Sequence, residues 1–116
     1  MFNYTQIEPE KCEFFTICPE ADLPDGKRVF FEIGDLPLVL FRVSGKLYAI
    51  ADVCSHDDGP LGDGDVEGNE VICPRHGARF DLRTGKALAL PAVVDIPVYP
   101  VRVVSQQIEV GLPLET

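Results

Sequence analysis

At 116 residues, 46% hydrophobic and 25% charged, the chain suffices for one folded module with a modest core, is too short for a second, and is too apolar for disorder. Nineteen acidic against ten basic residues give a formal charge of −9 at pH 7, a field that repels nucleic-acid phosphate and anionic lipid and suits a basic protein partner. No apolar run approaches the roughly 20 residues that span a bilayer, and Met1-Phe2-Asn3-Tyr4-Thr5 lacks the basic and apolar regions of a secretion signal, so a cytoplasmic protein is expected.

Short β-type runs between turn signals are expected over 13–18, 27–33, 36–43, 46–51, 70–73, 99–104 and 107–110. One helical turn fits Cys18-Pro19-Glu20-Ala21-Asp22-Leu23, where proline and acids suit a first turn. The clearest hairpin joins Leu38-Val39-Leu40-Phe41-Arg42-Val43 to Leu47-Tyr48-Ala49-Ile50 through Ser44-Gly45-Lys46, with glycine available for a positive φ. Pro24-Asp25-Gly26, Gly34-Asp35 and Arg83-Thr84-Gly85-Lys86 mark further turns. Ten prolines and ten glycines spread along the chain shorten strands and disfavour helices, so the expected fold class is a small all-β module of stacked antiparallel sheets occupying 1–116 as one domain.

Chemistry concentrates in two motifs, Cys54-Ser55-His56 and, after sixteen intervening residues, Cys73-Pro74-Arg75-His76-Gly77. They hold both histidines and two of the four cysteines, at points where a strand gives way to a turn, so two loop tips would present the ligands. Two thiolates and two imidazoles suit either one zinc ion or a 2Fe-2S cluster with thiolates on one iron and imidazoles on the other. Cys-x-His is short for the usual knuckle around one ion, whereas a binuclear cluster lets each pair straddle the two irons. Two disulfides fit poorly with interleaved histidines and no secretion signal, and Cys12 and Cys18, with no histidine nearby, read as small, mostly buried hydrophobes.

With Cys54, His56, Cys73 and His76 in this pattern, the chain resembles the Rieske 2Fe-2S proteins, and the resemblance continues through Gly77, Phe80-Asp81, Arg83-Thr84-Gly85 and Pro91 to Tyr99-Pro100-Val101-Arg102. It implies one [2Fe-2S] cluster held by those four residues, in a cluster-binding subdomain of two loops spanning about 52–92. Members of that family in membrane cytochrome complexes carry a further cysteine in each loop and join the two by a disulfide; here Gly59 and Arg75 stand at those positions. They also supply serine and tyrosine hydroxyls to cluster and cysteine sulfur, where this chain has Ala78 and Phe80. Without those donors the reduced state is less stabilised, which implies a potential near the bottom of the Rieske range, about −150 mV, instead of about +300 mV. The resemblance also leaves the second ring nitrogens of His56 and His76 near the surface, as an electron exit where a partner docks.

Five acids lie in 57–68, read either as a solvated turn or as a collar that steers a basic partner. Asp63-Gly64-Asp65-Val66-Glu67-Gly68 imitates the start of a calcium loop, but the twelfth position is Pro74 where a bidentate glutamate is needed, and calcium is rejected. Arg75 and Arg79 are expected to form local ion pairs and Leu61, Pro74 and Phe80 to keep water from the sulfurs, and the resemblance implies that Pro91 to Pro97 is a proline-containing loop that shields the cluster.

The resemblance points to the ferredoxin component of multicomponent aromatic ring-hydroxylating dioxygenases, a monomeric one-electron carrier between an NAD(P)H-dependent ferredoxin reductase and a terminal non-haem iron oxygenase. No nucleotide-binding glycine fingerprint is present and both histidines are already used, so no catalysis of its own is expected. The competing readings are a Rieske-like small subunit of a nitrite reductase, an accessory electron donor in iron-sulfur assembly, and a zinc-binding interaction module.

Overall fold

A computed structural model describes residues 7–55, 59–75, 77–90 and 94–114. Among them the strands are β1 (Cys12–Pro19), β2 (Arg28–Ile33), β3 (Leu36–Val43), β4 (Lys46–Ala51), β5 (Val66–Glu67), β6 (Glu70–Ile72), β7 (Arg79–Asp81), β8 (Ala87–Ala89), β9 (Val98–Tyr99), β10 (Val101–Val104) and β11 (Gln107–Pro113). They form three antiparallel sheets ordered β1-β11-β10, β2-β3-β4-β9 and β5-β6-β7-β8. Two single 3-10 turns, Pro9–Lys11 and Glu20–Asp22, are the described helical segments, the second inside the stretch where a helical turn was expected. No helix among the described residues is long and apolar enough to cross a membrane.

The second sheet is the middle layer, and β3 shows why. Successive side chains of a strand point to opposite faces. Leu38 and Leu40 enter one buried cluster with Leu23, Ala49, Ala51, Tyr99, Ile108 and Val110, while Val39 and Phe41 enter another with Ile50, Leu61, Val71, Phe80, Leu82 and Ile96. All four of these β3 side chains are at most 2% exposed, so the strand has no polar face there and its sequence is an unbroken apolar run. Each such side chain contributes about 1.5–3 kcal/mol by leaving water. The first cluster joins the middle sheet to β11; the second joins it to the β5-β6-β7-β8 sheet and contains Cys54 and Cys73.

Tight turns set the register. In the β3–β4 hairpin Val43 pairs with Lys46, and Ser44 and Gly45 both adopt positive φ (51° and 79°), the conformation whose twist matches the flanking strands. The expected strand over 99–104 is instead two strands in different sheets. Proline at position 100 cannot donate to a ladder, and its carbonyl accepts from Gly111 N–H at 2.9 Å while the chain crosses from the middle sheet to the first. β5, β7 and β8, two or three residues each, escaped the sequence reading, so the loop that begins at Cys73 stands on a sheet of its own, while the Cys54 loop leaves the middle sheet.

The β10–β11 turn pairs Val104 with Gln107 and places Ser105 and Gln106 at φ 50° and 68° without a glycine. Gln106→Gly is expected to raise stability by about 0.5–1 kcal/mol, since a Cβ in the left-handed region costs roughly 1–2 kcal/mol and glycine returns part of that as backbone entropy. Equilibrium denaturation would read the gain as a higher midpoint at unchanged slope.

Candidate metal centre

Cys54 lies three residues beyond β4 and Cys73 one residue beyond β6, and both loops begin alike. Cys54 N–H donates to the Gly59 carbonyl at 2.8 Å and Cys73 N–H to the Ala78 carbonyl at 2.7 Å, so each cysteine closes a loop onto the residue five further on. Cys54 and Cys73 are 0% and 1% exposed, belong to the same buried cluster, and neither is in a disulfide. The structure thus brings together the two predicted cysteines. The two predicted histidines, His56 and His76, lie outside the described residues, as do Asp57, Asp58 and Pro91.

Residues that sequence reasoning did not single out hold the first loop. Asp52, directly after β4, accepts from Leu61 N–H at 2.9 Å and Gly62 N–H at 2.6 Å through Oδ1, while its own N–H donates to the Pro37 carbonyl at 2.9 Å. Arg28 on β2 donates to the Gly62 and Gly64 carbonyls, the latter at 2.7 Å, with its guanidinium 4.9 Å from the Phe41 ring centroid. Gly64 has no room for a side chain, because a Cβ there would run into the Ile72 carbonyl oxygen. Ser55 Oγ donates to the Val94 carbonyl and so ties the first loop to the segment after position 93. That segment is itself anchored, by Ile96 N–H to the Gly85 carbonyl at 2.8 Å and by Asp95 Oδ1 accepting from Ala87 N–H at 2.9 Å. An aspartate between a strand and a motif cysteine was the one legible signal for this scaffold.

The two loops also touch each other. Arg75 Nη1 donates to the Pro60 carbonyl at 2.6 Å, and a Cβ on Gly59 would lie 2.7 Å from Arg75 Cζ. The expected ion pairing is found at Arg79, which reaches Glu67 Oε1 at 3.0 Å and Glu70 Oε1 at 3.3 Å. Asp63, Asp65 and Glu67 are the described acids of the 57–68 segment, and all three are exposed. Leu61 and Phe80 are fully buried beside the cysteines, but Pro74, grouped with them from sequence, is exposed and lies outside that cluster. Downstream, the Arg83 guanidinium and backbone N–H grip the Asp81 carboxylate and hold it below the usual carboxylate range despite its burial.

The donor set fits a thiolate-binding group. Two buried thiols from separate loops, unbridged and walled by Leu61, Val71, Ala78, Phe80 and Ile96, are soft ligands in a dry setting. Cys12 and Cys18 differ: burial, helped by Glu10 and by Asp22 respectively, pushes both thiols up, and they sit half-buried on β1, a strand of the sheet opposite.

A family model described as "Rieske [2Fe-2S] domain" matches residues 13–100. The chain is similar to the 3-phenylpropionate/cinnamic acid dioxygenase ferredoxin subunit of Escherichia coli K12, 41% identical over 97 residues covering 83% of this chain and 91% of that protein. Among solved structures it is similar to the ferredoxin of carbazole 1,9a-dioxygenase from Nocardioides aromaticivorans IC177 (30% identity, TM-score 0.79, 87% of this chain and 98% of that one). It is likewise similar to a chain in a complex of reduced oxygenase and oxidised ferredoxin of carbazole 1,9a-dioxygenase (28% identity, TM-score 0.80, 89% and 96% covered).

Asp52→Ala would leave the Leu61 and Gly62 N–H groups without their carboxylate. It is expected to cost about 1–3 kcal/mol. Chemical denaturation followed by far-ultraviolet circular dichroism measures this directly.

Proposed function

The chain belongs to the Rieske [2Fe-2S] domain family, and on that premise we propose that it is the ferredoxin component of an aromatic-compound dioxygenase, carrying electrons from an NAD(P)H-dependent ferredoxin reductase to a terminal non-haem iron oxygenase. The observation that carries this reading is the pair of like-closed loops that bury Cys54 and Cys73 in one apolar cluster. When bound, a [2Fe-2S] cluster supplies a one-electron couple. Cys54 and Cys73 are its thiolate ligands and His56 and His76 its imidazole ligands, set within a ligand-bearing part of about 52–92 in a single domain of 1–116.

The surrounding residues do the tuning. Leu61, Ala78 and Phe80 exclude water from the cysteine side and offer no hydroxyl to a sulfur, so the extra negative charge of the reduced state is stabilised less than where such donors exist. Exposed Asp63 and Asp65 present negative charge beside the first loop, which suits basic faces on both redox partners and weakens their docking as salt rises. The chain binds and positions the redox centre, while oxygen chemistry and substrate selection belong to the oxygenase. A monomer in the cytoplasm suits a shuttle between two larger partners.

The purified protein is expected to absorb in the visible, to give a paramagnetic signal on one-electron reduction, and to have a midpoint potential below zero, near the Rieske lower limit of about −150 mV. A colourless protein with stoichiometric zinc would overturn the carrier reading. A midpoint well above zero would overturn the tuning argument alone.

A further inference from the structure

We propose that Arg75 is a positioning residue that latches the two cysteine-bearing loops together, its guanidinium laid on the bare face of Gly59 and donating to the Pro60 carbonyl, and that this latch governs how firmly the metal centre is retained. The inference rests on the ligand assignment above. Its geometry is independent of it. Arg75 belongs to the second loop, between Cys73 and Ala78, whose Cys73 N–H closes on the Ala78 carbonyl. Gly59 and Pro60 belong to the first, where the Gly59 carbonyl accepts from Cys54 N–H at 2.8 Å. The 2.6 Å contact from Arg75 Nη1 to the Pro60 carbonyl therefore spans the mouths of both loops.

The two sides of the latch fit each other. A Cβ at position 59 would sit 2.7 Å from Arg75 Cζ and 2.8 Å from Nη2, so only glycine lets the guanidinium lie where it does. Among the described residues the first loop is also anchored through Asp52, Arg28 and Ser55 and the second through β6 and β7, and further along the Asp65 carbonyl accepts from Ile72 N–H at 2.9 Å. A planar, permanently charged guanidinium suits this task, because it makes a charge-assisted bond to a carbonyl and stays protonated at any working pH. It also stations a positive charge beside a centre that gains negative charge on reduction, which favours the reduced state.

The test uses protein purified with its metal centre in place and follows loss of visible absorbance under a chelator, together with the midpoint potential. Arg75→Met and Gly59→Ala are each expected to speed that loss about tenfold, the scale of one lost charge-assisted hydrogen bond. Because both break the same contact, the double variant should be no faster than the quicker single variant. Arg75→Met should also lower the potential, and Arg75→Lys, which keeps the charge, should recover it, a pattern that general loosening of the fold would not give. Wild-type rates in both single variants, or effects that multiply in the double variant, would overturn the latch. If Arg75→Met assembles no centre, Gly59→Ala keeps every charge and decides alone by its rate. Wild-type protein with no visible absorbance would instead overturn the ligand assignment itself.

Discussion

Everything in this molecule hangs on a middle sheet whose central strands, β3 and β4, bury side chains on both faces. Leu38, Leu40 and Ala49 point into the cluster shared with β11, while Val39, Phe41 and Ile50 point into the cluster that contains Cys54 and Cys73. Loosening either side exposes the other, since the same short strands supply both and each buried aliphatic or aromatic side chain there contributes about 1.5–3 kcal/mol. A small chain thereby gains a floor for two loops, each closed on itself by its cysteine N–H.

On that floor the first loop is also fixed by polar contacts from flanking residues. Asp52 and Arg28 act on the first loop from opposite charges, one accepting loop N–H groups and the other donating to loop carbonyls, and Ser55 draws in the segment around Val94. The pattern explains how glycines can be frequent near the site without leaving it slack: Gly62 and Gly64 are bonded at their carbonyls, and Gly64 packs against the Ile72 backbone. Pre-organised loops matter for an electron carrier, because atoms that do not move when charge changes need no energy to rearrange.

Much of this was legible in the sequence. The strands over 36–43 and 46–51 and their turn were readable because the turn chemistry is local and the apolar runs are long for strands. Cys54 and Cys73 could be singled out because ligand spacing is local to each motif, and the structure buries both in one cluster. What was missed is long-range or very short. β5, β7 and β8 are too brief to show alternation, and Pro100 splits a run whose halves belong to different sheets. Arg28 acts on residues 34 and 36 positions away, and no local pattern announces such a reach. Pro74 was misplaced because adjacency to a cysteine in sequence does not fix which way a loop faces.

In the proposed ligand set, two loops each contribute one sulfur and one nitrogen ligand to a single cluster. Nitrogen hyperfine spectroscopy of the one-electron-reduced protein, with nitrogen-15 in its two histidines, tests it most directly. Couplings from two directly bound imidazole nitrogens are expected, one set lost on changing either His56 or His76. A reduced signal with no histidine coupling, or with coupling that survives both changes, would contradict it.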